Sequence, residues 1–338
     1  MIPFASRFLL SILFVVWTLP AATGIGQTQQ PKSKASPTPP PSGETEQSER
    51  IFIRRVRLPI TVVDKKGQAV SGLTKSDFLI SEDKVVQQIE TFSDDLGQAL
   101  PLYVAVLMDT SPSTAGKLKF EQESAMNFIQ TVIRPRRDRV LFATSDHEIL
   151  LKQDFTDKLD LLDRAVFGVK KLGSQTALYD AIWQFCDEKM RSVAGRRVVV
   201  VITDGKDTYS RADLRDAIDI AQRTETTIFA ISTKAGLSGS VPGVTMGEVR
   251  DKADSSLVKL AEETGGMAFF TGDMLSLERS FTKINKELRA QYLLTYKPSN
   301  DRYDGSFRRI EVRLANGQGG MKVRTKLGYK AIADAIKP

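Results

Sequence analysis

The chain has 338 residues, of which 41% are hydrophobic and 26% charged, and it carries a formal net charge of +7. That length can bury a sizeable core with room for more than one domain, and that composition excludes wholesale disorder. One cysteine, Cys186, and one histidine, His147, exclude a disulfide framework, a zinc finger, an iron–sulfur site and thiol redox chemistry.

The chain opens with a positive charge at Arg7. An apolar run from Phe8 to Leu19 follows, broken only by Ser11 and Thr18, and then the small residues Pro20-Ala21-Ala22-Thr23-Gly24. Residues 1–26 therefore read as a secretory signal peptide, cleaved near Gly24 or Gly26. The apolar core is short of the roughly 18 residues a membrane span needs, so no stable span is expected after cleavage. The protein is expected to be exported: periplasmic, cell-surface or secreted. Removing the leader takes away Arg7 and no acid, which leaves a net charge of +6. The basic clusters, Arg54-Arg55-Val56-Arg57 and Arg134-Pro135-Arg136-Arg137-Asp138-Arg139, lack the interleaved aromatics on which bases stack. They read as solvated surface, and no nucleic-acid partner is expected.

Residues 27–50 hold five prolines among Ser, Thr and Gln and read as an extended, disordered linker. From Ile51 the pattern turns to period two. Ile51 to Val62, Asp77 to Asp83 and Val85 to Phe92 read as antiparallel strands, with a turn at Asp64-Lys65-Lys66-Gly67. This N-terminal β segment, 51–98, is too small to be stable alone.

Strands and amphipathic helices alternate over residues 99–290. Strands are expected at Leu102–Met108, Arg139–Ala143, Glu148–Lys152, Arg197–Thr203, Thr227–Ser232 and Met267–Phe270. Helices are expected at Lys117–Ile133, Asp157–Phe167, Ala177–Arg191, Arg211–Thr224, Ser255–Thr264 and Leu275–Arg289. Leu118, Ala125, Phe128, Ile129, Val132 and Ile133 make one apolar helix face, and Leu178, Ala181, Ile182, Phe185 and Cys186 another. Cys186 is thus a small core residue. Strict alternation means right-handed crossovers and an α/β fold with a doubly wound, mostly parallel sheet. Residues 291–338 return to strands at Gln291–Tyr296, Phe307–Leu314 and Met321–Tyr329, with turn signals at Asp304-Gly305 and Asn316-Gly317. They are expected to pair with 51–98 in a flanking β-sandwich, the α/β domain being inserted between its halves.

The run Leu102–Met108 ends abruptly in Asp109-Thr110-Ser111-Pro112-Ser113. Pro112 cannot continue a ladder, so a carboxylate and two hydroxyls stand at the carboxyl end of a buried strand, where open α/β sheets bind ligands. Thr203-Asp204-Gly205 closes the strand at 197–203 in the same way, and Gly173-Ser174-Gln175-Thr176 precedes a helix. Gathered at one sheet edge, Asp109, Ser111, Ser113, Thr176 and Asp204 make an all-oxygen cradle suited to a hard divalent ion such as Mg2+, with Mn2+ or Ca2+ as alternatives. Helix capping by Ser113 and Thr176 is a competing role for two of these hydroxyls. The Gly- and Ser-rich loop 233–254 leaves from the same edge. It is either a partner-defining element or a simple insertion.

These pieces resemble the von Willebrand factor type A domain, and Asp109-Thr110-Ser111-Pro112-Ser113, Thr176 and Thr203-Asp204-Gly205 look like that family's metal-ion-dependent adhesion site. The resemblance spans about residues 100–289. Asp77-Phe78 and Glu82-Asp83 in the flanking β segments are similar to the secreted, acidobacterial-type relatives. By this resemblance Ser111, Ser113 and Thr176 contact the ion, Asp109 and Asp204 act directly or through water, and an acidic side chain of a partner completes the shell. Gly173-Ser174-Gln175 departs from the adjacent glycines common before the Thr. The resemblance implies a non-enzymatic adhesion or scaffold module for a protein partner presenting Asp or Glu. A metal-assisted hydrolase is the first alternative, although no Ser-His-Asp set, phosphate loop or G-x-G-x-x-G is present. A structural module with a vestigial metal site is the second.

Overall fold

The computed structural model describes residues 55–94, 100–112, 116–170, 172–233, 252–270, 274–315 and 320–332. The signal peptide, the linker, Ser113 and most of the loop 233–254 lie outside the described residues.

The centre is a six-stranded sheet of β5 (Leu102–Asp109), β6 (Arg139–Ser145), β7 (Ile149–Thr156), β8 (Arg196–Thr203), β9 (Thr226–Ser232) and β10 (Ala268–Phe270), in the order β10-β9-β8-β5-β6-β7. All neighbours are parallel except β7, which pairs antiparallel with β6 at the edge. The helices are α1 (Leu118–Val132), α2 (Leu159–Phe167), α3 (Leu178–Phe185), α4 (Leu214–Arg223), α5 (Lys252–Glu263) and α6 (Met274–Arg289). The pleat of β5 divides its side chains between the two faces. Leu102, Val104, Val106 and Met108 pack with residues of α1, α2 and α6, whereas Ala105 and Leu107 pack with residues of α3, α4 and α5. A strand buried on both faces has no polar position to spare, which is why its sequence is continuously apolar.

Two four-stranded antiparallel sheets flank this domain: β13-β1-β11-β4 and β14-β12-β2-β3. Their strands are β1 (Val56–Val63), β2 (Phe78–Glu82), β3 (Val85–Gln87), β4 (Ile89–Ser93), β11 (Tyr292–Tyr296), β12 (Phe307–Leu314), β13 (Lys322–Arg324) and β14 (Gly328–Lys330). The N- and C-terminal segments interleave: β11 lies between β1 and β4, and β12 pairs with β2. Leu58, Ile60 and Tyr292 of one sheet share a core with Phe78, Ile80 and Ile310 of the other. Inside it the buried Glu82 carboxylate accepts the hydroxyls of Tyr296 (2.6 Å) and Tyr329 (2.9 Å), tying the two sheets together.

Three elements differ from expectation. The single strand at 85–92 is two, β3 and β4, in different sheets. The chain crosses over at Gln88, and the neighbouring Gln87 side chain is fixed by Ser299. The strand at 321–329 divides likewise into β13 and β14. Period-two alternation survives such a crossing, so the sequence does not reveal it. The helix 177–191 is α-helical only to Phe185 and continues as a π-helical turn, Cys186–Met190. Cys186 is fully buried. Much of the basic surface is paired, through Arg55–Glu90, Arg57–Glu225, Arg134–Asp138 and Arg139–Asp157.

Candidate metal centre

β5 and β8 are parallel neighbours in register Met108↔Ile202, so Asp109 and Thr203 emerge side by side at their carboxyl ends. The Thr203 hydroxyl donates to Asp109 Oδ2 (2.7 Å), and the Ser111 amide donates to Asp109 Oδ1 (2.9 Å). Gly205 donates its amide to Thr203 Oγ1 (3.0 Å) and adopts φ +81°, which turns the chain sharply after Asp204. Asp109, Ser111, Thr176 and Asp204 are all buried.

The loop that carries Thr176 is bonded to both neighbouring loops. The Gly173 amide donates to the Thr110 carbonyl (2.8 Å), and the amides of Thr208 and Tyr209 donate to the Thr176 carbonyl (3.0 and 2.9 Å). Asp146 anchors the same loop: its carboxylate accepts the Thr110 hydroxyl (2.7 Å) and its carbonyl the Ala177 amide (2.9 Å). A Cβ at Gly173 would fall 2.1 Å from Asp146 Cγ, so this position requires glycine. The three loops expected to converge therefore do so, with Asp109, Ser111, Thr176 and Asp204 on them, whereas Ser113 lies outside the described residues. The capping role does not hold for Thr176. The N-cap of α3 is Ala177, and the Tyr179 and Asp180 amides go to Asp207 Oδ2 and Ser210 Oγ, both at 3.0 Å. The N-cap of α1 is Lys117, without a side-chain cap.

Burial pushes the Asp109 carboxyl up to about 6, against the lowering effect of the Thr203 and Ser111 bonds and with added repulsion from Asp204. A second acid, Glu121 on α1, is fully buried. Desolvation raises it to about 9; a bond from the Thr233 hydroxyl (2.9 Å) opposes this, and the charges of Asp109 and Asp204 reinforce it. The sequence assigns no site role to Glu121, Asp146 or Thr233, and Thr203 stands only within the motif Thr203-Asp204-Gly205. Glu121 had a legible signal: it lies three residues after Leu118 and four before Ala125, so it is an acid on the apolar stripe of α1. His147, on the β6–β7 connection, places Nδ1 2.7 Å from Asp146 Oδ1.

The donor set fits a hard cation. It is all oxygen, buried and negative, and both Glu121 Oε2 and Ser145 Oγ are buried oxygens with no hydrogen-bond partner among the described residues. Among those residues no three His, Cys, Asp or Glu side chains are grouped to hold an ion. An ion here would lean on hydroxyls as well as carboxylates.

A doubly wound sheet that collects carboxylates and hydroxyls where its central strands end places them where open α/β sheets bind ligands. The chain belongs to the von Willebrand factor type A domain family, whose sequence profile matches residues 104–283, over half of its length. Domains of this family are generally non-enzymatic adhesion or scaffold modules. No curated protein matches the chain. Similar solved structures include a von Willebrand factor type A protein from Catenulispora acidiphila, at 13% identity and TM-score 0.46, covering 84% of this chain and 75% of that one. An aerotolerance-related membrane protein from Bacteroides fragilis is similar at 15% identity and TM-score 0.44, covering 55% and 98%. Proximal thread matrix protein 1 of the mussel byssus, with a zinc-occupied metal-ion-dependent adhesion site, is similar at 14% identity and TM-score 0.44, covering 61% and 48%. The family assignment rests on the sequence match and not on these likenesses.

Proposed function

We propose that the protein is an exported, non-enzymatic interaction module that binds a protein partner through a divalent cation, Mg2+ in the first place. Asp109, Ser111, Ser113, Thr176 and Asp204 would hold the ion. Bound there, it would supply an open Lewis-acidic position for an Asp or Glu side chain of the partner. The observation that carries this reading is that three distant loops meet at the sheet edge where the buried Asp109 stands, each loop bonded to another by backbone or hydroxyl donors. The chain's own residues do the positioning. Thr203 and the Ser111 amide orient the Asp109 carboxylate, and Thr208 and Tyr209 fix the backbone of Thr176. Asp146 braces the loop between them.

Export rests on the leader at 1–26, and the linker 27–50 would hold the folded part away from the envelope surface. Among the described residues no helix is long and apolar enough to cross a membrane. Residues 51–98 and 291–338 would form the base that presents the von Willebrand domain. The test is capture of partners from envelope extract by the full mature chain, with Mg2+ or with EDTA, beside Asp109→Ala and Thr176→Ala. Capture that needs Mg2+ and fails in both folded variants is expected. EDTA-insensitive capture, or turnover of phosphoesters or peptides by the cation-loaded protein, would overturn the reading.

A further inference from the structure

One buried acid stands close to the metal centre without belonging to the five-residue set. Glu121 is on the first turn of α1 with no exposed surface. Its Oε1 accepts the Thr233 hydroxyl (2.9 Å), and its Oε2 has no hydrogen-bond partner among the described residues. The Thr233 amide donates to the Thr203 carbonyl (2.9 Å), and the Thr203 hydroxyl donates to Asp109 Oδ2. A bonded path thus runs from Glu121 through Thr233 and Thr203 to Asp109. Asp109 and Asp204 repel a charge on Glu121, and Lys117, half-buried at the start of α1, attracts it. A glutamine could also accept the Thr233 bond, more weakly but without a charge to bury. Desolvation outweighs both the Thr233 bond and the Lys117 attraction, so the charged acid costs the cation-free fold stability unless a further positive charge arrives nearby.

We propose that Glu121 is a charge-supplying positioning residue of the metal centre, whose carboxylate strengthens cation binding from behind the ligands while burdening the cation-free fold. Its place behind the ligands follows from the bonded path, in which Thr233 and Thr203 stand between Glu121 and Asp109. The low dielectric of the interior carries its field to the ion. This inference rests on the reading of Asp109 and its neighbours as a metal centre.

The test is E121Q in the full mature chain, read by Mn2+ and Mg2+ titration calorimetry and by thermal melts in EDTA near pH 8, beside the wild type and T233V. The expected result for E121Q is a cation affinity lower by about 10-fold or more together with a higher Tm in EDTA. T233V keeps the acid and should lose less affinity than E121Q. A purely structural strap would give the reverse: E121Q would bind cation like the wild type, and its Tm would be unchanged or lower. That result, or an E121Q chain that does not fold, overturns the proposal while a binding wild type leaves the metal centre standing. A wild type that takes up no cation overturns both.

Discussion

Raising the pH of the cation-free protein from about 5 to about 8 should destabilise it, against the usual trend for carboxylates. Asp109 moves from an ordinary value of 3.8 up to about 6 because the fold strips it of water. A carboxyl raised in the fold contributes stability that is complete below its unfolded value and is lost as pH rises through the folded one. The whole loss for Asp109 is about 3 kcal/mol, of which over 1 falls above about pH 5. Glu121, raised from 4.5 to about 9, has the same sign and carries the loss through the rest of the window. Together they give about 3–5 kcal/mol between about pH 5 and 8, or roughly 10 °C in Tm for a domain of this size. Asp77, Asp138, Asp154, Asp213 and Asp304 are lowered in the fold. Their stabilisation is already complete above the ordinary carboxylate range and fades only on acidification, so they do not mask the effect. The assay is far-UV circular dichroism melting in EDTA across the window, repeated with Asp109→Ala, Glu121→Gln and saturating Mg2+. The wild-type Tm should fall with pH, each variant should flatten the curve, and Mg2+ should reverse the fall by binding the native state alone. A Tm that is flat or rises in EDTA, or variants with the wild-type slope, would refute the reasoning.

Further outcomes follow from single contacts. Gly173→Ala drives a methyl into Asp146 and should cost about 1–3 kcal/mol in chemical denaturation, with weaker cation binding because the same loop carries Thr176. Tyr296→Phe leaves Glu82 with one hydroxyl donor in place of two and should lower stability by about 1–3 kcal/mol without changing cation uptake, as denaturant melts and calorimetry would show. The Cys186 thiol is fully buried and is pushed up to about 12 by desolvation. It should therefore resist a disulfide reagent such as DTNB in the native protein and react stoichiometrically only in denaturant.

The parts of this molecule that could be read in the sequence are those where one physical rule acts alone. Leu102 to Met108 had to be a doubly buried strand because nothing polar interrupts it, and the abrupt Asp109 marked where it leaves the sheet. Strand–helix alternation then determined the parallel sheet, and the two β segments, each too small to stand alone, had to find each other. The rest depends on long-range partners that local pattern does not encode. Val85 to Phe92 alternates identically whether it lies in one sheet or crosses between two. Thr176 looks like a helix cap until Asp207 and Ser210 are seen to take the α3 amides. Thr203 and Thr233 acquire meaning only when β8 and β9 bring them beside Asp109 and Glu121. Glu121 broke a local rule, an acid in an apolar stripe, and such violations concentrate where function overrides packing.

The most direct measurement is a calorimetric titration of the full mature chain with Mg2+ and Mn2+, beside Asp109→Ala and Thr176→Ala variants whose circular dichroism matches the wild type. One divalent cation per wild-type chain, with uptake abolished in both variants, is the expected result. No uptake at millimolar cation, or uptake that persists undiminished without Asp109 and without Thr176, would contradict the assignment of a metal centre to these strand ends.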